Sequence, residues 1–111
     1  MTITYIDFHS PDIRSGTIVS AEPAEGLRVK AYRMEIELGP EFGRKVSLAQ
    51  ITDLYNVAEL IGRQVMCVVN LESKRMGKYV SEVLTLGVDD DQGRVVLLTP
   101  ERPVPNGHKI Y

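Results

Sequence analysis

AYRMEIEL, residues 31–38, decides the fold class. Tyr32, Met34, Ile36 and Leu38 alternate with Arg33, Glu35 and Glu37. A period of two puts the apolar set on one face of a half-buried strand. Downstream, GPEFG (39–43) is a hairpin-length connection, and RKVSLAQI (44–51) starts the next strand. Upstream, DIRSGTIVSAE (12–22) reads as a strand in which Gly16 predicts a bend or bulge, and PAEGLRVK (23–30) is the loop between them. NVAELIG (56–62) then changes the pattern. Asn56 can cap free amides, Glu59 can reach back to it, and Gly62 supplies a stop, so a helix of two turns at most is expected.

RQVMCVVNL (63–71) is apolar on both faces, as a central strand or barrel wall is. SEVLTLGV, the turn DDDQG and RVVLLTP form a closing hairpin, and the first ten residues can hold a short helix with Ile3, Ile6 and Phe8 as apolar contacts. The order is strand, strand, strand, short helix, strand, long hairpin. It predicts a mainly β chain: a five-stranded OB-fold barrel with a short helix between strands 3 and 4, an N-terminal short helix and a C-terminal extension. A single domain over residues 1–111 is expected.

Ligands of OB folds lie across the strand 2–3 face, between the loops that join strands 1–2 and 4–5. SKRMGKY (73–79) falls on the second of those loops and carries Lys74, Arg75 and Lys78 with Met76 and Tyr79 among them. Arg28 and Lys30 fall on the first. This local basicity stands out in a chain with 13 Lys and Arg against 15 Asp and Glu, a net charge of −2. That balance excludes a coating protein that binds nucleic acid over its whole surface, but not a basic patch. Charged residues at 25% and hydrophobic residues at 43% exclude a disordered chain.

Nothing in the sequence assembles an active site, and no enzyme is expected. It contains no G-x-S-x-G, P-loop or G-x-G-x-x-G motif. His9 and His108 lie near opposite ends with no companion ligand, so neither a metal nor a cofactor is expected. Asp89, Asp90 and Asp91 lack the spaced ligands of a calcium loop and read as a solvated turn. Glu35 and Glu37 point outward on their strand, where Arg33 shares their parity and fits a cross-strand ion pair at least as well as a phosphate contact. Cys67, the sole cysteine, reads as a small core residue. The N-terminus lacks the charged and apolar regions of a secretory signal, and no apolar run approaches a membrane span, so a cytoplasmic location is expected.

Five phrases in register, DFHSPDIRSGTI, AQIT, LIGRQVMCVVNL, SEVLTLG and VVLLTPERPVPNGHKI, resemble the CsaA subgroup of the tRNA-binding-domain OB family from Asp7 to Ile110. The wider family includes the C-terminal appendage of many methionyl-tRNA synthetases. The resemblance implies a homodimer, tRNA or other RNA as partner, and, for the CsaA subgroup, chaperone-like binding of unfolded or export-bound polypeptide. Its recognition positions fall on Asn70, on Lys74, Arg75, Met76 and Lys78, and on the Ser81–Glu82 pair. Ser81-Glu82-Val83-Leu84 has the CsaA form, whereas the 71–79 loop is more basic than is usual in that subgroup and points back to RNA.

From the strand 2–3 argument, Ser47 and Gln50 join Asn70 as hydrogen-bonding candidates on the ligand face. Tyr79 is a stacking platform or a rim residue. Basic residues at Arg28, Lys30 and 74–78 would meet phosphates. The tail PERPVPNGHKIY is too rich in proline for a barrel strand. Val104, Pro105, Ile110 and Tyr111 are expected to pack across a two-fold axis, with packing on their own barrel as the alternative.

Overall fold

One long strand, β1 (Ile13–Pro23), serves two neighbours in succession. Ile13 to Thr17 pair antiparallel with β4 (Gln64–Val68), and Thr17 to Pro23 pair with β2 (Tyr32–Glu37). Adding β3 (Arg44–Ala49) and the two-residue β7 (Leu84–Thr85) gives a five-stranded antiparallel sheet in the order β3-β2-β1-β4-β7. The structure is a computed structural model describing residues 1–111. Its sheet curls into the nearly closed barrel of an OB fold.

The alternation in β2 sorts its side chains as the sequence predicts. Met34, Ile36 and Leu38 are fully buried in a core with Ile18, Leu60 and Val65. Arg33, Glu35 and Glu37 lie on the opposite face, where Arg33 approaches Glu35 at 3.6 Å and Glu22 at 3.7 Å. The bulge in β1 falls between Ile18 and Ser20 and not at Gly16, which pairs regularly with Val65. Gly16 is required for packing: a Cβ there would lie 2.6 Å from Ile36 and 2.7 Å from Leu38. The GPEFG connection coils into one turn, α2 (Gly39–Phe42). The helix between β3 and β4, α3 (Val57–Leu60), carries the reciprocal Asn56–Glu59 cap, and Leu60 plugs the barrel from it.

Cys67 lies fully buried in β4, and burial pushes its thiol from 9.0 up to about 11, partly offset by the hydrogen bond to Thr85. The unfolded chain therefore releases this proton first as pH rises. The stabilising contribution is intact below pH 9 and is lost between pH 9 and about 11. We expect the unfolding free energy of the wild type to fall about 2–3 kcal/mol more than that of Cys67→Ala over that window, measured by urea denaturation.

The short helix near the N-terminus, α1 (Tyr5–His9), has a Thr4–Asp7 capping box but buries none of its residues. Ile3 and Ile6 stay exposed and make none of the core contacts expected of them. Hydrogen bonds hold the segment instead. Asn70 accepts from the Asp12 amide and donates to the Ser10 carbonyl, each at 2.8 Å, which ties residues 10–12 to the end of β4.

The tail takes its expected alternative course and straps onto its own barrel. The Ser15 amide donates to His108 O, the Gly107 amide to Ser15 O and the Ile110 amide to Ile13 O, along the edge of β1 that β2 leaves free. The buried Ser15 hydroxyl donates to Pro105 O at 2.7 Å, and Gln64 exchanges two bonds with the Val104 backbone. Burial behind this strap is incomplete. Val104 and Pro105 remain exposed, Ile110 is half-buried and Tyr111 is fully exposed.

Two hairpins complete the chain: β5 (Lys74–Met76) with β6 (Tyr79–Ser81), and β8 (Gly87–Asp89) with β9 (Val95–Leu97). The aspartate turn between β8 and β9 closes on Asp90, whose carboxylate accepts from the Gln92 and Arg94 amides. Those bonds hold Asp90 below the usual carboxylate range. No helix is long and apolar enough to cross a membrane.

Candidate functional site

The segment SKRMGKY is a hairpin and not an open loop. Lys74 faces Ser81, Arg75 faces Val80 and Met76 faces Tyr79 across β5–β6, with Gly77 at φ +59° opening the turn. Residues opposite one another share a face, so Lys74, Met76, Tyr79 and Ser81 lie on one side and Arg75 with Val80 on the other. The three basic residues are therefore divided: Lys74 faces the barrel side, Arg75 faces outward, and Lys78 sits at the turn.

The two connections predicted to flank a ligand do meet. Tyr79 Oη accepts a hydrogen bond from the Glu25 amide at 2.9 Å, and Gly77 leaves room for the Leu27 side chain. Arg28 and Lys30 are exposed on that same 24–31 connection. Beside it, Arg33, Ser73, Lys78 and Tyr79 line a polar cleft of about 350 Å³. From the sequence, Arg33 is open to a cross-strand ion pair or a phosphate contact. Its carboxylate neighbours stand at 3.6 and 3.7 Å, outside hydrogen-bond distance, and leave the guanidinium able to take an anion. The signal was present in its strand parity, because the polar face of strand 2 is also the ligand face of an OB barrel.

Next to the β5–β6 hairpin lies a larger groove of about 660 Å³. Leu48, Ile51, Leu71, Met76 and Val83 form its apolar floor, and Gln50 and Lys74 border it. A polar cleft and an apolar groove thus both border one hairpin.

Four predicted residues make hydrogen bonds within the fold, and two of them, Ser81 and Glu82, also line the apolar groove. Ser47 is fully buried, and its hydroxyl meets Thr85 Oγ1 at 2.8 Å, so it faces the barrel interior and no ligand. Both ends of the Asn70 amide are taken by the 10–12 backbone. Ser81 and Glu82 close the barrel. The Leu48 amide donates to Ser81 Oγ at 3.0 Å, the Val46 amide to Glu82 Oε1 at 2.9 Å, and the Glu82 amide to Val46 O at 2.8 Å. Side chains here replace a backbone ladder between β3 and β6, and this satisfies the outer edge of β3. Ser81→Ala should cost about 1–3 kcal/mol by leaving the Leu48 amide unpaired, measured by urea denaturation.

A five-stranded antiparallel barrel with paired basic connections on its rim defines a ligand-binding OB domain. No three His, Cys, Asp or Glu side chains converge to hold a metal. A family model described as "Putative tRNA binding domain" matches residues 13–109, and the chain belongs to that tRNA-binding domain family. Among solved structures, the chaperone CsaA of Bacillus anthracis strain Ames is 46% identical, with a TM-score of 0.92 and full coverage of both chains. The CsaA chaperone protein of Picrophilus torridus is 40% identical at the same TM-score, covering 99% of this chain and all of the other. The methionine–tRNA ligase of Methanosarcina mazei is 31% identical over 108 residues, 97% of this chain. The chain spans only 15% of that relative's length.

Proposed function

We propose that this chain is a non-catalytic RNA-binding OB domain with tRNA as its RNA partner and a CsaA-like chaperone activity. The carrying observation is the meeting of the 24–31 connection, which bears Arg28 and Lys30, with the β5–β6 hairpin, beside a polar cleft lined by Arg33 and Lys78. Phosphates meet these cations and Lys74, while Met76 and Gln50 are within reach of an exposed base. The family match supports tRNA over other anionic polymers. A cytoplasmic location follows from that partner.

The second reading, binding of unfolded or export-bound polypeptide with little RNA, is favoured by the apolar groove of about 660 Å³ and by the likeness to two CsaA chaperones. There, apolar side chains would fill the groove, and the basic residues would only steer. Salt separates the two readings. With three to five phosphate contacts, tRNA affinity falls with log salt at a slope of about −2 to −4. An unfolded peptide held by apolar contacts changes little over the same range. Anisotropy titrations with labelled tRNA and a labelled unfolded peptide test both, and a flat tRNA response overturns the first reading.

The assembly we propose is a homodimer. Exposed Ile6 and Tyr5 on α1, and Val104 and Tyr111 on the tail, are the apolar surface a second copy would cover. Light scattering during the same titrations should return twice the chain mass.

A further inference from the structure

A half-buried tyrosine at a nucleic-acid rim is the natural candidate for stacking on an unpaired base. The surroundings of Tyr79 give it another task. Lys78 Nζ sits 5.5 Å from its ring centroid, over one face. Its hydroxyl is already occupied by the Glu25 amide, 54 residues away in the chain. That bond and the approach of Gly26 and Leu27 to Gly77 join the two connections. The base of the 24–31 connection is closed by the Ala24 amide donating to Ala31 O at 2.9 Å. Between those residues, Glu25, Gly26, Arg28, Val29 and Lys30 are exposed, and only Leu27 is half-buried. Leu27 rests on Gly77, where a Cβ would lie 2.8 Å from Leu27 Cδ2. Tyr79 and Gly77 therefore pin the far side of a segment that is otherwise held only at its base.

We infer that Tyr79 is a positioning residue, which holds the 24–31 connection against the β5–β6 hairpin so that Arg28 and Lys30 stand beside Lys78 before RNA arrives. This rests on the RNA reading above. A pinned connection has little freedom left to lose on binding, whereas a free one must be ordered at the expense of affinity. The hydroxyl therefore matters and the ring face does not.

Tyr79→Phe keeps the ring and removes the acceptor. Measured with labelled unfractionated tRNA, it should weaken binding about three- to tenfold and flatten the salt slope by about 0.7–1.4, the loss of one or two phosphate contacts. Hydrogen exchange at the Glu25 amide should quicken by about tenfold or more while core amides are unchanged. Arg28→Ala/Lys30→Ala should cost affinity in the wild type and little in the Tyr79→Phe background, because the two changes act through one element. Leu27→Ala gives a second route to the same loosening without touching Tyr79. The inference is overturned if Tyr79→Phe binds tRNA as the wild type does while Tyr79→Ala binds weakly, the pattern of a stacking ring. It is also overturned if the Glu25 amide exchanges at its original rate. Failure of the underlying reading looks different: Lys74→Ala/Arg75→Ala/Lys78→Ala then binds tRNA unchanged.

Discussion

Lys74→Ala/Arg75→Ala/Lys78→Ala should lower tRNA affinity about 100-fold at 0.1 M salt and flatten the salt slope by about 2, three phosphate contacts each contributing about 0.7. The division of these residues between two faces of the hairpin refines the expectation. Lys78 shares its cleft with Arg33, so Lys78→Ala and Arg33→Ala should be less than additive. Arg75 lies on the opposite face of the hairpin from Lys74. All three residues are exposed, so thermal stability should move little and the binding loss reads as lost contact. Three equal single-variant effects would place RNA across the hairpin and not along one side of it.

Gly107→Ala should destabilise the chain by about 3 kcal/mol or more, measured by urea denaturation. Gly107 has φ +84°, where a side chain is strained, and its Cβ would stand 2.5 Å from the Leu38 carbonyl oxygen. Gly39 answers it from the other side with φ +86° and a Cβ position 2.7 Å from Asn106 O. Two backbones touch here, and neither can give way as a flexible side chain would. The contact clamps the tail over the start of α2, next to the bonds that run from residues 107–110 to β1. Gly93→Ala serves as the control. It also has positive φ, +75°, but nothing lies within 4 Å of its Cβ position, so it carries only the conformational part of the cost, about 1 kcal/mol.

The resemblance in DFHSPDIRSGTI through VVLLTPERPVPNGHKI located the family, yet three of its implied recognition residues, Asn70, Ser81 and Glu82, also carry structure. Ser81 and Glu82 illustrate why. A short polar pair after a basic loop looks the same in sequence whether it faces a ligand or caps the edge of a distant strand. Only the approach of residues 46–48 makes the second use visible. Arg33 is open in the sequence to an ion pair or a phosphate contact, and the structure places it both near Glu22 and Glu35 and in the cleft beside Lys78.

Local pattern alone determined the elements. Alternation in 31–38, the Asn56–Glu59 cap, and turn chemistry at 89–93 each depend on residues a few positions apart, where backbone geometry forces neighbours to interact. Tertiary structure alone decided the rest: which edge the tail seals, that side chains and not a ladder close β3 onto β6, and that Tyr79 reaches Glu25. Those contacts join segments tens of residues apart. Closing such loops is governed by shape and packing in the whole barrel, and no short window of sequence records it.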